Sequence, residues 1–200
     1  MREIVTILFD DFETLDVFGP IEILGRLKEY FDPQFYSLAG GTITSSHKVP
    51  IVTRPISELQ ESSYILFIPG GIGTRKLVKD EAFIQVLSTL AGKAEFILTV
   101  CTGSGLFAKT GLLSGKRATS NKKAFAWVRS LQQDVNWVQK ARWTVDGNIY
   151  TSAGVSAGMD MTLQFVADIL GYNVAKQQSI EIEYDWKETP SWDPFADLYE

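Results

Sequence analysis

The chain has 200 residues, enough for one domain with a substantial buried core, and its 45% apolar and 22% charged residues are typical of a globular protein. Its net charge of -5 and lack of a long basic run argue against a nucleic-acid partner, because phosphate binding needs clustered lysine and arginine. No apolar run approaches the roughly 20 residues of a membrane span. The first apolar run, residues 4–9, ends at two aspartates, which does not fit a signal peptide. We therefore expect a cytoplasmic protein without membrane contact.

The first half of the chain alternates short apolar runs with helical patterns. Buried strands are predicted at residues 3–9, 34–38, 64–68 and 95–100. Helices are predicted at residues 16–30 and 80–91 from their apolar spacing. Because the strands are almost continuously apolar, we expect a mostly parallel sheet that helices cover on both faces, an α/β three-layer sandwich.

The second half continues this alternation and ends in a different composition. Helices are predicted at residues 102–110, 122–131, from about 154 onward, and 174–182, with strand-like pieces at 137–145 and 148–151. We expect residues 1–185 to form one domain. Residues 186–200 carry two prolines and two tryptophans and are expected to form a tail that packs on the domain or on a partner subunit.

Cys101 is the only cysteine, and it follows a predicted strand and precedes a helix whose first turn is rich in small residues. This pattern is typical of a nucleophile elbow, a sharp turn that exposes the nucleophile above the sheet. The helix N-terminus would lower the thiol pKa through its dipole and unpaired N–H groups. The alternative is a buried cysteine that serves as a small apolar residue.

A glycine-rich loop, residues 69–73, directly follows the strand at residues 64–68. Its glycines let backbone N–H groups approach a ligand closely. We predict that Gly71 and Thr102 donate N–H groups to an oxyanion hole, and that Gly70 and Ile72 contact substrate.

Two carboxylates, Glu13 and Asp16, follow the first strand. The carboxyl ends of parallel strands gather ligand sites, so both side chains could reach Cys101. The alternative for Asp16 is a helix cap. His47, the only histidine, lies in a polar loop and is predicted to be a surface residue rather than a partner of the thiol. With one cysteine and one histidine we expect no metal, no cofactor and no intrachain disulfide.

Five segments in order resemble the ThiJ/PfpI superfamily, relatives of the class I glutamine amidotransferases. They are Leu15-Asp16-Val17-Phe18-Gly19-Pro20, Ile68-Pro69-Gly70-Gly71, Val100-Cys101-Thr102-Gly103, residues 111–119 and residues 152–158. The resemblance spans roughly residues 3–172. It implies a flavodoxin-like sandwich, usually dimeric, with the elbow cysteine in a small pocket near the subunit interface.

Within the superfamily, the isocyanide hydratase branch looks most similar. There an aspartate at the position of Asp16 faces the cysteine, and a threonine follows the cysteine as Thr102 does here. Other branches place a glutamate against the thiol, at a position that Glu13 matches, so both carboxylates stay candidates. Asn121 stands near the place where many members carry a histidine, which removes the base of a Cys–His mechanism.

The resemblance implies an enzyme, a hydratase or a hydrolase, that acts on a small electrophilic C–N or C=O compound. Cys101 would be the nucleophile, Asp16 or Glu13 the proton relay, and the partner a small-molecule substrate bound by a homodimer. The alternative is a non-catalytic or regulatory stress-response protein that uses Cys101 as an oxidation sensor. Glyoxalase-like or protease-like activity is a further alternative.

Overall fold

A computed structural model describes residues 1–60 and 63–199. The strands are β1 Arg2–Ile7, β2 Phe31–Ser37, β3 Gly41–Thr44, β4 Pro50–Pro55, β5 Tyr64–Ile68, β6 Phe96–Thr99, β7 Arg117–Ala118, β8 Asn136–Trp137, β9 Trp143–Asp146 and β10 Ile149–Ser152. The helices are α1 Thr14–Arg26, α2 Thr74–Leu77, α3 Glu81–Lys93, α4 Gly103–Lys109, α5 Phe125–Leu131, α6 Ala157–Leu170 and α7 Tyr172–Glu181. Short 3-10 turns lie at Ile56–Glu58 and Ala196–Leu198.

The main sheet has the order β3-β4-β2-β1-β5-β6-β10-β9. Pairing is parallel from β4 through β10, and only the two edge strands, β3 and β9, run antiparallel to their neighbours. A small two-stranded sheet joins β7 and β8. The predicted α/β sandwich with a mostly parallel sheet is therefore confirmed.

Alternate residues of the central strands enter two separate cores, because successive side chains of a strand point to opposite faces. In β5, Leu66 and Ile68 join the core that includes Leu87 of α3, whereas Ile65 and Phe67 join the core on the other face. That second core includes side chains of α1 and α6. The central strands are thus buried on both faces, as their continuous apolar runs predicted.

Several element bounds differ from the sequence prediction; helix α5, for example, begins at Phe125 rather than at residue 122. Helix α1 ends at Arg26 rather than at residue 30, since Leu27 leaves the helical conformation with ψ 52° and its N–H closes a turn on the carbonyl of Leu24. Helix α6 begins at Ala157 rather than near 154. The edge pair β3 and β4 was not predicted, because both strands are short and partly exposed and β4 begins and ends at a proline.

The C-terminal tail, residues 186–199, packs on the same chain. The indole N–H of Trp186 donates to the carbonyl of Asp160 at 3.2 Å, and the backbone N–H of Arg142 donates to the carbonyl of Pro190 at 2.7 Å. The Asp193 carboxylate lies 3.3 Å from the ammonium of Lys122. Across the described ranges, we find no helix with the length and apolar character that a bilayer crossing requires.

Candidate active site

Cys101 occupies a strained turn between β6 and α4. Its φ is +56°, in the left-handed region that non-glycine residues rarely adopt. Its N–H donates to the carbonyl of Ala153 at 3.1 Å. Its carbonyl accepts hydrogen bonds from the hydroxyls of Ser104 and Ser120 at 3.0 and 2.9 Å. These three bonds hold the turn, and such strain is characteristic of functional sites.

Asp16 lies in the first turn of α1 and is fully buried. Its Oδ2 accepts the N–H of Gly70 at 2.9 Å, while its Oδ1 has no hydrogen-bond partner in the part of the chain described here. Burial raises the pKa of Asp16 to about 8; the Gly70 N–H opposes this rise, the charge of Glu13 adds to it, and contact with the Cys101 thiol again opposes it. A carboxyl group with that pKa holds its proton at neutral pH.

The thiol pKa shows which groups surround the sulfur. Burial raises the pKa of Cys101 well above its ordinary value, and the negative charge of Asp16 raises it further. The N–H and hydroxyl groups of Thr102 and the N–H of Val155 oppose this rise. The expected lowering of the thiol pKa is therefore wrong. The short helix α4 does supply an N–H donor, but Cys101 is only 6% exposed, and the loss of solvation outweighs the donors.

Glu13 and Asp16 occupy different positions relative to the Cys101 thiol. It precedes α1, and its Oε1 lies 3.5 Å from Nδ1 of the exposed His47, which also lies 2.9 Å from the hydroxyl of Thr14. Glu13 acts on the Asp16 pKa, whereas Asp16 acts on the thiol. The structure thus places Asp16 against Cys101, places Glu13 next to Asp16, and leaves His47 62% exposed on the surface.

The glycine loop is packed against the elbow more tightly than its sequence indicates. The Gly71 N–H donates to Oγ1 of Thr102 at 3.0 Å, and the same hydroxyl lies 3.1 Å from that of Thr74. The predicted Gly71 oxyanion donor is therefore occupied in this structure. A Cβ on Gly70 would lie 2.6 Å from the Thr102 nitrogen and 2.9 Å from Asp16 Oδ2, so this position needs glycine. The Ile72 side chain, predicted to bind substrate, is 64% exposed at the outer edge of the loop.

Val155 is a site residue that sequence reasoning missed. It adopts φ +47° in the turn between β10 and α6, and this conformation aims its N–H at the thiol. The only available signal was its place in the glycine-rich segment 152–158, to which no role was assigned. Thr74, which orients the Thr102 hydroxyl, was missed as well. Within the described ranges, no group of three or more His, Cys, Asp or Glu side chains is arranged to hold a metal ion.

Comparisons with known proteins show which family the chain is similar to. The DJ-1/PfpI family model matches residues 2–168. Isonitrile hydratase of Pseudomonas putida is 28% identical over 180 residues, which cover 89% of this chain and 76% of the relative. Protein DJ-1alpha of Drosophila melanogaster is 27% identical over 143 residues, which cover 68% of this chain and 64% of the relative.

A crystal structure of a ThiJ/PfpI family protein from Pseudomonas syringae superposes with a TM-score of 0.83 at 26% identity. The match covers 96% of this chain and 78% of that protein. The family model matches most of the chain, and the superposed structure has a similar fold. The chain belongs to the DJ-1/PfpI family.

Proposed function

We propose that the protein is a cysteine-dependent enzyme that hydrates or hydrolyses a small electrophilic C–N or C=O compound, with an isocyanide as the best candidate substrate. The observation that carries this proposal is the contact of a buried carboxyl group, Asp16, with the elbow thiol of Cys101. The similarity to isonitrile hydratase supports the choice of substrate class. Cys101 is the nucleophile and Asp16 the acid–base group.

The two groups ionise as a pair, because each changes the pKa of the other. At neutral pH the pair holds two protons, since both pKa values are raised. As the pH approaches about 8, the pair loses its first proton from Asp16, whose pKa is the lower of the two, and the reactive form arises when the thiol passes its own proton to Asp16. In its reactive form, Cys101 is a thiolate and Asp16 is a carboxylic acid. The N–H groups of Thr102 and Val155 stabilise the negative sulfur.

With an isocyanide, R–N≡C, the sulfur attacks the terminal carbon and Asp16 delivers its proton to that carbon. This gives the thioimidate R–N=CH–S–Cys101 and leaves Asp16 as a carboxylate. Asp16 then accepts a proton from water as the hydroxide adds to the carbon, and passes that proton to the nitrogen. The hydroxyl proton of the adduct returns to Asp16 as the C–S bond breaks. The products are the formamide R–NH–CHO and the starting thiolate–acid pair.

The remaining site residues act through Cys101 and Asp16. Burial raises the Asp16 pKa most, and the negative charge of Glu13 raises it further. Gly71 and Thr74 orient the Thr102 hydroxyl beside the sulfur, and the Thr102 N–H stabilises developing negative charge as half of an oxyanion hole. Gly70 fixes Asp16 through its N–H, and the exposed Ile72 side chain contacts the substrate.

The test is turnover of cyclohexyl isocyanide, followed by NMR detection of N-cyclohexylformamide. Cys101→Ala should abolish the reaction, and Asp16→Asn should slow it about 100-fold or more, the scale of lost general acid–base catalysis. Glu13→Gln should keep turnover and move its pH profile to lower pH. The proposal fails if the folded protein makes no formamide from this or related isocyanides, or if Asp16→Asn is as active as the wild type.

An oxidation sensor is a second candidate. The N–H groups of Thr102 and Val155 and the protonated Asp16 could all donate hydrogen bonds to the oxygens of a Cys101 sulfinate. The similarity to protein DJ-1alpha is consistent with this candidate. Mass spectrometry after two molar equivalents of peroxide decides it, since one equivalent converts a sensor thiol to the sulfenic acid and the second converts that to the sulfinate. The enzyme is the first proposal because the similarity to isonitrile hydratase extends over 89% of this chain, whereas that to protein DJ-1alpha extends over 68%.

We propose that the enzyme works as a homodimer in the cytoplasm. Leu15 and Phe18 lie one turn apart on α1, beside Asp16, and both side chains are exposed together with Ile72. In the tail, Trp192 and Phe195 are also exposed, whereas Trp186 is buried in its own chain. Sedimentation at micromolar concentration should give a dimer. A monomer would show that no subunit interface borders the proposed active site.

A further inference from the structure

The turn that directs the Val155 N–H at the thiol has a strained backbone. Val155 adopts φ +47°, and positive φ is a genuine outlier for a β-branched residue, whose side chain then crowds the backbone. Such strain persists only where the surrounding structure over-determines the conformation. Contacts from elsewhere in the fold must therefore hold the turn at residues 153–156 and keep the Val155 N–H on the sulfur.

Arg142, the residue before β9, bonds to both ends of this turn. Its carbonyl accepts the N–H of Ala153 at 2.8 Å. Its Nη2 donates to Oγ of Ser156 at 3.3 Å. Val155 lies between these two bonds, so one residue joins the first and last positions of the strained turn. The backbone of Arg142 is itself fixed, because its N–H donates to the carbonyl of Pro190 at 2.7 Å.

The guanidinium group of Arg142 has a fixed direction. The side chain is buried, and its Nε donates to Oδ2 of Asp160, which is fully buried in the first turn of α6. Oδ1 of Asp160 accepts the backbone N–H of Lys187 at 2.8 Å, and its carbonyl accepts the indole N–H of Trp186 at 3.2 Å. Because a guanidinium is planar and rigid, its bond through Nε determines where Nη2 points, which is at Ser156.

Stability alone gives little reason for an ion pair at this place. Burying two charges costs about as much free energy as their attraction returns, and apolar side chains of similar volume often stabilise a fold equally well. Apolar side chains could not donate to the Ser156 hydroxyl, however. The pair of Arg142 and Asp160 therefore contributes a direction to the turn that packing would not supply.

We propose that Arg142 is a positioning residue for Cys101, which holds the turn at residues 153–156 so that the Val155 N–H stays directed at the sulfur. The inference deepens the proposed function and rests on it for the catalytic consequence. Without the bond to Ser156, Val155 relaxes toward negative φ, and the peptide between residues 154 and 155 rotates its N–H away from the sulfur. The thiolate then loses one of the N–H donors that stabilise it.

The test removes the Ser156 hydroxyl and leaves the buried ion pair intact. The rate of alkylation of Cys101 by iodoacetamide is measured at pH 9. Ser156→Ala should react at least about tenfold more slowly than the wild type, the usual contribution of a hydrogen bond to a charged group. Looser packing would instead expose the buried thiol and speed its alkylation, so a merely structural role of Ser156 predicts the opposite change. Ser156→Thr, which keeps the hydroxyl, should react as the wild type does.

The controls assign the effect to Arg142. Ser179→Ala is matched to Ser156→Ala, because Ser179 is also a serine whose hydroxyl bonds within the protein, here to the carbonyl of Lys176 in α7, and it should keep the wild-type rate. Arg142→Met completes a double-mutant cycle. In folded Arg142→Met the donor is already gone, so the further change Ser156→Ala should not slow alkylation again. If Arg142→Met does not fold, the comparison of Ser156→Ala with Ser156→Thr still decides.

The outcomes separate this inference from the proposed function. Alkylation of Ser156→Ala at the wild-type rate or faster overturns the inference, even if the protein hydrates isocyanides. Equal slowing of Ser156→Ala and Ser156→Thr also overturns it, because the hydroxyl is then not the cause. Slower alkylation of Ser156→Ala that Ser156→Thr restores supports the positioning role, even if no isocyanide is turned over.

Discussion

Replacing Asp16 by asparagine should make the stability of the fold less sensitive to pH. The pKa of Asp16 is raised from 3.8 to about 8 in the folded protein. Between these values the folded state keeps a proton that the unfolded chain releases, so the free energy of unfolding falls as the pH rises. The contribution of Asp16 is complete below about pH 4 and is lost as the pH rises to about 8.

The size of this loss follows from the linkage of proton binding to folding. One pKa unit corresponds to about 1.4 kcal/mol. Between about pH 5 and pH 7 the folded carboxyl stays mostly protonated and the unfolded one is ionised, so the wild type should lose on the order of 2–3 kcal/mol through Asp16. Asp16→Asn has no such proton and should not show this component. The thiol of Cys101 stays neutral in this range because its pKa is raised.

The assay is urea unfolding of wild type and Asp16→Asn at both pH values. The difference between the two proteins cancels other titrating groups, such as the buried Asp160, whose pKa is also raised. Glu22→Gln, a change in an exposed carboxylate of the same helix, is the matched control and should behave as the wild type. If wild type and Asp16→Asn lose the same stability between the two pH values, the raised Asp16 pKa is wrong and the acid–base role loses its basis.

Three further predictions test the surroundings of the thiol. Wild-type Cys101 should react with iodoacetamide at pH 7 more slowly than glutathione, because its thiol pKa is raised. At pH 9, Asp16→Asn should react faster than the wild type, because loss of the Asp16 charge lowers the thiol pKa. A variant that reacts more slowly than the wild type at pH 9 would contradict this. Gly70→Ala should lower the melting temperature and turnover, because its Cβ meets Thr102 and Asp16, whereas Gly92→Ala, in open space on α3, should do neither. His47→Ala should keep turnover within about threefold, and a loss of about 100-fold would restore a Cys–His mechanism.

The parts of the fold that sequence reasoning predicted are those with a strong local signal. β5 and β6 are continuously apolar runs, and their burial on both faces follows from that pattern. The pair β3 and β4 has no such run, and its pairing of Ile43 with Ile51 depends on a connecting turn rather than on composition. Helix α1 was predicted four residues too long because an apolar leucine at position 27 continues the helical spacing after the backbone has turned.

The site residues also divide into those with a local signal in the sequence and those without one. The elbow at Cys101 is local, so a strand followed by small residues was enough to find it. Which carboxylate meets the thiol is not local, since Glu13 and Asp16 differ only in where α1 begins and which way it faces the sheet. Val155 reaches the sulfur only because β10 lies next to β6. The thiol pKa was predicted in the wrong direction because a helix start is visible in a sequence, whereas the depth of burial is not.

The energetic pattern around Cys101 favours a catalytic role over a structural one. Asp16 holds a buried oxygen without a hydrogen-bond partner among the described residues, and Cys101 and Val155 both adopt left-handed backbone conformations. Each of these features costs stability; glycine at 155 would relieve the backbone conformation there, and an apolar side chain at 16 would remove the buried polar oxygen. None of them improves packing. Together they place an acidic proton and two N–H donors around one sulfur, which is what a thiol needs to attack a carbon and protonate it in the same step. A fold selected for stability alone would not concentrate these costs at one atom.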